Sequence, residues 1–244
     1  MLFFNRIIRY LTCNRYNLFT RSGIKKYGQY IIGKNVKMRN CHVFVGADAS
    51  LSIADNVVID NASIYVDKGD LTIGEHSIIS SMDGRPVKIV IDNGCASIGH
   101  HSKISLARLW IRFGGKFSFG NYSNINAGSE IRCDESVEIG DFNQISYNVN
   151  IWDTNTHEIL TTEQRRQRAV EYFPIFGKEL AKPKTAPIKI GDDCWIGQNA
   201  TIMKGCQIGN ECIVGFGCML FGKTIDNNSL VTNTISSTTQ KRLI

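Results

Sequence analysis

The sequence contains no long hydrophobic run. Nowhere do its 244 residues approach the eighteen or so consecutive apolar positions of a membrane span. A cleavable leader pattern is missing as well: the opening MLFFNRIIRY is broken by Arg6 and Arg9, and no small-residue cleavage site follows it. Acidic residues are absent from positions 1–47, which hold nine of the 28 Lys/Arg. The remaining 19 Lys/Arg face all 22 Asp/Glu, so the formal charge of +6 is a basic arm on a mildly acidic body. The body lacks a basic face interleaved with aromatics, which excludes nucleic acid as its partner. It also lacks the 3.6-residue period of amphipathic helices. Eight cysteines without a leader fit reduced thiols and a cytoplasmic chain, not a disulfide scaffold.

What the chain does have is a period of six. Positions 190, 196, 202, 208, 214 and 220 are Ile, Ile, Ile, Ile, Val and Leu. Four residues after each comes a small one: Cys194, Ala200, Cys206, Cys212, Cys218 and Thr224. A metal ladder would not accept Ala or Thr in a cysteine register, whereas a packing rule would, since cysteine behaves as a small buried hydrophobe. Looser versions run through IADNVVIDNASIYV, IGEHSIIS, IGHHSKIS, FGNYSNINAGSEI and IGDFNQISYNVNI. Starts of the Ile-Gly type recur at 32, 53, 73, 98, 119, 139, 190, 208 and 225, mostly about 20 residues apart, or three units. Such a unit fits a short strand plus a corner, three to a coil, stacked at about 4.8 Å into a triangular prism. The aliphatic and small residues face inward, and Gly and Asn serve corners whose backbone needs positive φ.

The run IKIGDDCWIGQNATIMKGCQIGNECIVGFG resembles the hexapeptide-repeat acyltransferases, and the resemblance implies an all-β, left-handed parallel β-helix. It covers residues 30–232 as repeats and is most specific over 119–231. The expected organisation is a short helical arm at 1–29, the β-helix domain at 30–232 with a loop insertion at 152–186, and a tail at 233–244.

In that insertion the period stops between Ile151 and Pro187, over WDTNTHEILTTEQRRQRAVEYFPIFGKELAKPKTA. A structureless break this long in a solenoid is functional or disordered. Thr156-His157, Arg165-Arg166 and PIKIGDDCWIG follow in the order and spacing of the maltose, galactoside and capsular sugar O-acetyltransferases. The resemblance implies acetyl transfer from acetyl-CoA to a sugar hydroxyl, on a surface or capsular polysaccharide or its precursor. His157 is the expected general base, because imidazole titrates near neutral pH and a sugar hydroxyl must lose its proton as it attacks. A backbone carbonyl, Asp153 or Glu158 would fix its other nitrogen. The plainer alternative is a solvated loop histidine.

Further residues come with the resemblance. Asn126 and Asp134 match acceptor-binding positions, with ordinary corner chemistry as the alternative. Trp195 matches the wall beside the pantetheine arm; Gln198, Phe216 and Phe221 match later coils of that slot, and Lys223 a phosphate contact. Phe216 and Phe221 could equally pack on a neighbouring subunit, since the family implies a homotrimer with sites between prisms. No metal is expected. The chain ends in SLVTNTISSTTQKRLI where the family has Gly-Asn-Pro-Ala-Lys, leaving Lys241 and Arg242 as substitutes at the adenine end.

Two other readings stay open. His76 and His101, each three residues into a coil, raise a γ-class carbonic anhydrase, which shares this fold and binds zinc through three histidines; a convincing third ligand is missing. A non-catalytic structural solenoid leaves the long insertion unexplained. In the arm, Phe3, Phe4, Ile7, Ile8 and Leu11 have amphipathic helical spacing, fit either to cap the prism or to make peripheral contact with anionic lipid.

Overall fold

In the computed structural model, which describes residues 15–17, 22–175 and 179–234, the chain is a parallel β-solenoid of about ten turns with one short helix. Each coil lays one strand on each of three faces, and each strand pairs with its counterpart a coil away. The first face stacks Lys103–Ile104, Asn124–Ile125, Gln144–Ile145, Trp195–Ile196, Ile213–Val214 and Leu230–Val231. The second carries Arg108–Ile111, Glu130–Cys133, Asn150–Trp152, Thr201–Met203 and Met219–Phe221. The third carries Gly115–Phe119, Ser136–Ile139, Ile188–Ile190, Gln207–Ile208 and Thr224–Ile225. In the early coils, Lys37–Ile53 and Val58–Ile73 run as continuous strands around the corners.

The hexad's aliphatic residue points inward throughout: Ile125, Ile145, Ile196, Ile202 and Val214 are fully buried. So are Cys194, Ala200, Cys206, Cys212 and Cys218, and the seven described cysteines are all unpaired thiols. The packing rule therefore explains this spacing. Thr224 departs from it. It pairs with Gln207 and is exposed, because the corner after Leu220 is one residue short and the next inward residue is Ile225.

Gly and Asn serve the corners as expected, but they divide the labour. The Gly after each Ile is there for close approach, not for positive φ: a Cβ on Gly191 would lie 2.1 Å from Asn210 Oδ1 and 2.8 Å from the backbone of Gly209. Side-chain oxygens then tie coil to coil. Asn121, Asp141, Asp192, Asn210 and Asn227 each accept the backbone N–H of the equivalent residue one coil earlier, at 2.6–3.0 Å. The left-handed backbone falls to Asn residues such as Asn35, Asn56, Asn148 and Asn199, to other glycines such as Gly128, Gly205 and Gly217, and along one corner to His76, His101, Tyr122 and Phe142, with φ of 52–58°. Their rings stack along that corner at 4.7, 5.0 and 5.2 Å.

Two boundaries need correction. The apolar segment Phe3–Leu11 lies outside the described residues, but the arm is not helical up to residue 29. Ser22–Lys26 is a strand in parallel register with residues 42–45, burying Ile24, and Arg15–Asn17 pairs with it antiparallel. The first coil thus starts before residue 30. The insertion, in turn, is not structureless. It contains the helix Thr162–Glu171, opened by a capping box in which Thr161 and Gln164 satisfy each other's backbone N–H. Lys241 and Arg242 lie outside the described residues.

Candidate functional site

The insertion leaves and rejoins the prism at one point. It follows Asn150–Trp152 on the second face and returns to Ile188–Ile190 on the third. A single antiparallel bridge between Thr154 and Thr185 pinches its base, reinforced by Asn155 N–H to Lys184 O (3.0 Å) and Ala186 N–H to Asp153 O (3.0 Å). Asp153 is buried, and its carboxylate accepts the backbone N–H groups of Asp134, Glu135 and Ser136 at 2.7–2.8 Å. Burial pushes its pKa up to about 6; the three N–H groups partly oppose this and the neighbouring Asp134 adds to it.

Thr156 sits in the left-handed region (φ 69°), uncommon for a β-branched residue and costing on the order of 1–3 kcal/mol. Two arginines hold it there. Arg112 donates to its carbonyl (3.2 Å) and Arg132 to its hydroxyl (3.1 Å). Each is itself fixed: Arg112 grips both oxygens of buried Asp134 (2.9 and 2.7 Å), and Arg132 bonds Glu130 (3.1 Å) with its guanidinium 4.2 Å from the Trp152 ring. This frame turns the chain outward at the next residue, His157, whose side chain is 61% exposed.

His157 Nδ1 hydrogen-bonds the carboxylate of Glu179, which is only 10% exposed, and the other Glu179 oxygen accepts the N–H of Glu158 (3.1 Å). Glu158 pairs with Arg168 (2.7 Å), tying the neck of the insertion to its helix. The expected orienting partners of His157 are therefore replaced. Asp153 is committed to backbone N–H groups and Glu158 to Arg168, while the ring's partner comes from 22 residues downstream. In the tautomer whose Nδ1 donates to this carboxylate, Nε2 is the ring's acceptor, on a side chain open to solvent. Glu179, Arg112 and Arg132 escape sequence reasoning because no motif spacing links them to His157.

The remaining candidates separate. Asp134 is wholly buried and saturated by Arg112, so its place is in the frame and not against an acceptor. Asn126 is half-buried on the first face with no partner for its amide. Trp195 projects from the first face, 56% exposed. Gln198 and Phe216 lie one coil apart at the next corner, where Gly217 N–H bonds Gln198 O (2.9 Å), and Phe216 is exposed. Phe221 ends a second-face strand, with Lys204 Nζ 5.8 Å from its ring, and Lys223 is exposed at the following corner. In one prism these five span two faces and two corners, and the insertion carrying His157 leaves from the second of those corners, between the second and third faces, where Lys223 lies.

His76 and His101 stack face to face instead of converging, and among the described residues no group of three or more His, Cys, Asp or Glu is placed to hold a metal ion. No described helix is long and apolar enough to cross a membrane.

Comparison with known proteins fits this architecture. Residues 187–222 match the bacterial transferase hexapeptide (six repeats) family. The crystal structure of the polySia specific acetyltransferase NeuO superposes with a TM-score of 0.54 at 20% identity, covering 88% of this chain and 89% of that one. The polysialic acid O-acetyltransferase OatWY is matched at 17% identity and a TM-score of 0.40, over 89% of this chain and 93% of that one. A search of curated proteins finds no significant match. The solenoid is thus a left-handed β-helix built of hexapeptide repeats.

Proposed function

We propose that this hexapeptide-repeat β-helix is an acetyl-CoA-dependent O-acetyltransferase whose acceptor is a sugar hydroxyl of a surface or capsular polysaccharide or its precursor. The observation that carries the reading is the His157–Glu179 pair, held outward by a strained Thr156 at the base of the long insertion. Relatives in fold that are named as polysialic acid acetyltransferases agree with it.

In this mechanism Nε2 of His157 takes the proton of the acceptor hydroxyl as its oxygen attacks the thioester carbonyl carbon. The carbon–sulfur bond then breaks, and the imidazolium returns the proton to the departing thiolate. Glu179 holds the ring and stabilises its transient charge. Asn126 contacts the acceptor, Trp195 walls the pantetheine arm, and Gln198, Phe216, Phe221 and Lys223 extend that slot. A lone prism is convex, and His157 and Trp195 leave it in different directions. The site therefore forms between prisms of a cyclic homotrimer, His157 of one chain facing Trp195 of the next.

The test is a panel of glycan acceptors incubated with acetyl-CoA, read by free-thiol release. Wild-type protein releases thiol with at least one acceptor, and His157→Ala lowers kcat by about 10²–10⁴ while melting like wild type. A variant that keeps more than half the turnover removes His157 from the mechanism.

A further inference from the structure

The transfer as proposed leaves one charge unanswered. As the acceptor oxygen adds to the thioester, an electron pair moves onto the carbonyl oxygen, which then needs a hydrogen-bond donor. His157 cannot supply one: its Nδ1 is turned to Glu179 and its Nε2 is taking the acceptor's proton. Where a donor must sit follows from the coil. The insertion opens after Asn150–Trp152, so His157 leaves the prism at the height of the coil that holds Gln144–Ile145 and Tyr147. It leaves from the corner between the second and third faces, and Tyr147 occupies the corner between the first and second. These two corners bound the second face. Prisms that turn this face to a threefold axis running along them present one corner to each neighbour, at unchanged height. His157 of one chain then meets the Tyr147 corner of the next, with Trp195 one coil step, about 4.8 Å, further along.

Tyr147 belongs to the same corner column as two residues of the pantetheine slot. Gly128, Asn148, Asn199 and Gly217 take the left-handed backbone in successive coils, with φ of 57–78°, and the residues just before them are Ala127, Tyr147, Gln198 and Phe216. Asn148 N–H bonds Ala127 O (3.1 Å) and Asn199 N–H bonds Tyr147 O (3.0 Å), which fixes the register. Tyr147 thus lies one coil after Asn126, the acceptor contact, and one coil before Gln198, a pantetheine contact. Ala127 is buried, whereas Tyr147 is 39% exposed and its hydroxyl bonds no described group. The indole N–H of Trp195 and the amide of Gln198 sit a coil above this height.

From this placement we infer that Tyr147 is a catalytic residue, its phenol O–H donating a hydrogen bond to the carbonyl oxygen of the thioester that the neighbouring chain's His157 serves. The inference rests on the transferase reading and adds the group that meets the developing negative charge. The proton stays on the phenol oxygen throughout. When the carbon–oxygen double bond re-forms and the carbon–sulfur bond breaks, the oxygen loses its charge and the hydrogen bond weakens again. A donor of this kind acts on the transition state more than on bound acetyl-CoA, so its loss falls on kcat and not on KM.

Thiol release by the full chain, with acetyl-CoA and the glycan of highest turnover, tests this. Tyr147→Phe should lower kcat by about 10²–10³ and leave KM for acetyl-CoA within about twofold. It should melt like wild type, since the removed hydroxyl bonds nothing in the fold. Replacing Tyr147 by 3-fluorotyrosine, whose phenol ionises at lower pH, should keep turnover near neutral pH and bring the alkaline fall of kcat to lower pH; a packing role would not move that limb. Refolded together with His157→Ala, Tyr147→Phe should gain activity over either alone. Refolded with Trp195→Ala it should not, because Tyr147 and Trp195 reach one site from the same chain. A Tyr147→Phe protein that keeps more than half the wild-type kcat, one whose loss lies in KM alone, or a fluorinated variant with the wild-type pH profile overturns the inference and leaves the transferase standing. Absence of thiol release by wild-type protein with every acceptor overturns both.

Discussion

At the scale of single residues, the frame behind His157 holds a carboxyl group whose pKa lies above the usual range. Asp153 is buried against three backbone N–H groups with a pKa raised to about 6. The fold therefore favours the protonated acid. The associated stability is fully present below about pH 4 and is lost as pH rises through 6. A rise of about two units corresponds to about 3 kcal/mol. Asp153→Asn does not titrate, so the unfolding free energy of wild type should fall relative to this variant between about pH 4 and 6.5 and then run flat. Parallel curves from chemical denaturation would refute the assignment. Only part of this frame is legible in the sequence. The Thr-His pair announces itself by its motif, but Asp134 reads equally as ligand or scaffold until Arg112 is seen on both its oxygens, and Glu179 becomes a partner only through the path of the insertion. Asn126 is the converse case: it shares its residue type and its unpartnered amide with corner asparagines such as Asn148 and Asn199, and only its half-buried place on the first face sets it apart.

Among the elements, the insertion is nearly independent of the prism. Val137 pairs with Ile188, Gln144 with Trp195 and Asn150 with Thr201, so coil stacking continues across it. Its helix buries no residue, and Ile159, Val170, Phe173 and Ile175 are exposed. Replacing residues 155–184 by a short Gly-Ser turn across the Thr154–Thr185 pinch should leave a cooperative melt within a few degrees of wild type while acetyl transfer vanishes. A collapse of the melt would mean that the insertion holds the prism up. The coils themselves were readable, because a six-residue period with an inward aliphatic has one economical stacking solution. The helix was less so, since TEQRRQRAVE has no apolar stripe and its single local signal is the Thr-x-x-Gln cap. At the amino end, the expectation of a helix up to residue 29 fails because Ile24 completes the core and Ser22–Lys26 covers a strand that would otherwise be an open edge.

For the whole molecule, the decisive question is which chains complete a site. If His157 and Trp195 of adjacent prisms face each other, His157→Ala and Trp195→Ala proteins should each be weak. Unfolded together and refolded, they should gain activity over either alone, because some interfaces then carry both intact residues. Mixed assemblies demonstrated by mass spectrometry without that gain would place both residues in one chain's site. A different asymmetry follows from the corner ladder, in which the backbone N–H of His100, Asn121, Asp141, Asp192 and Asn210 is each received by a side-chain oxygen of the coil after it. The two ends of the prism are therefore not equivalent. Growth at the carboxyl end always answers donors already waiting, whereas a coil lost from that end strands them. On a ribosome, which delivers coils in this order, each new turn over this stretch brings the side-chain oxygen that the corner N–H before it lacks. The chain carries a direction of assembly in its turns, and the point at which synthesis stops decides whether the last turn is satisfied.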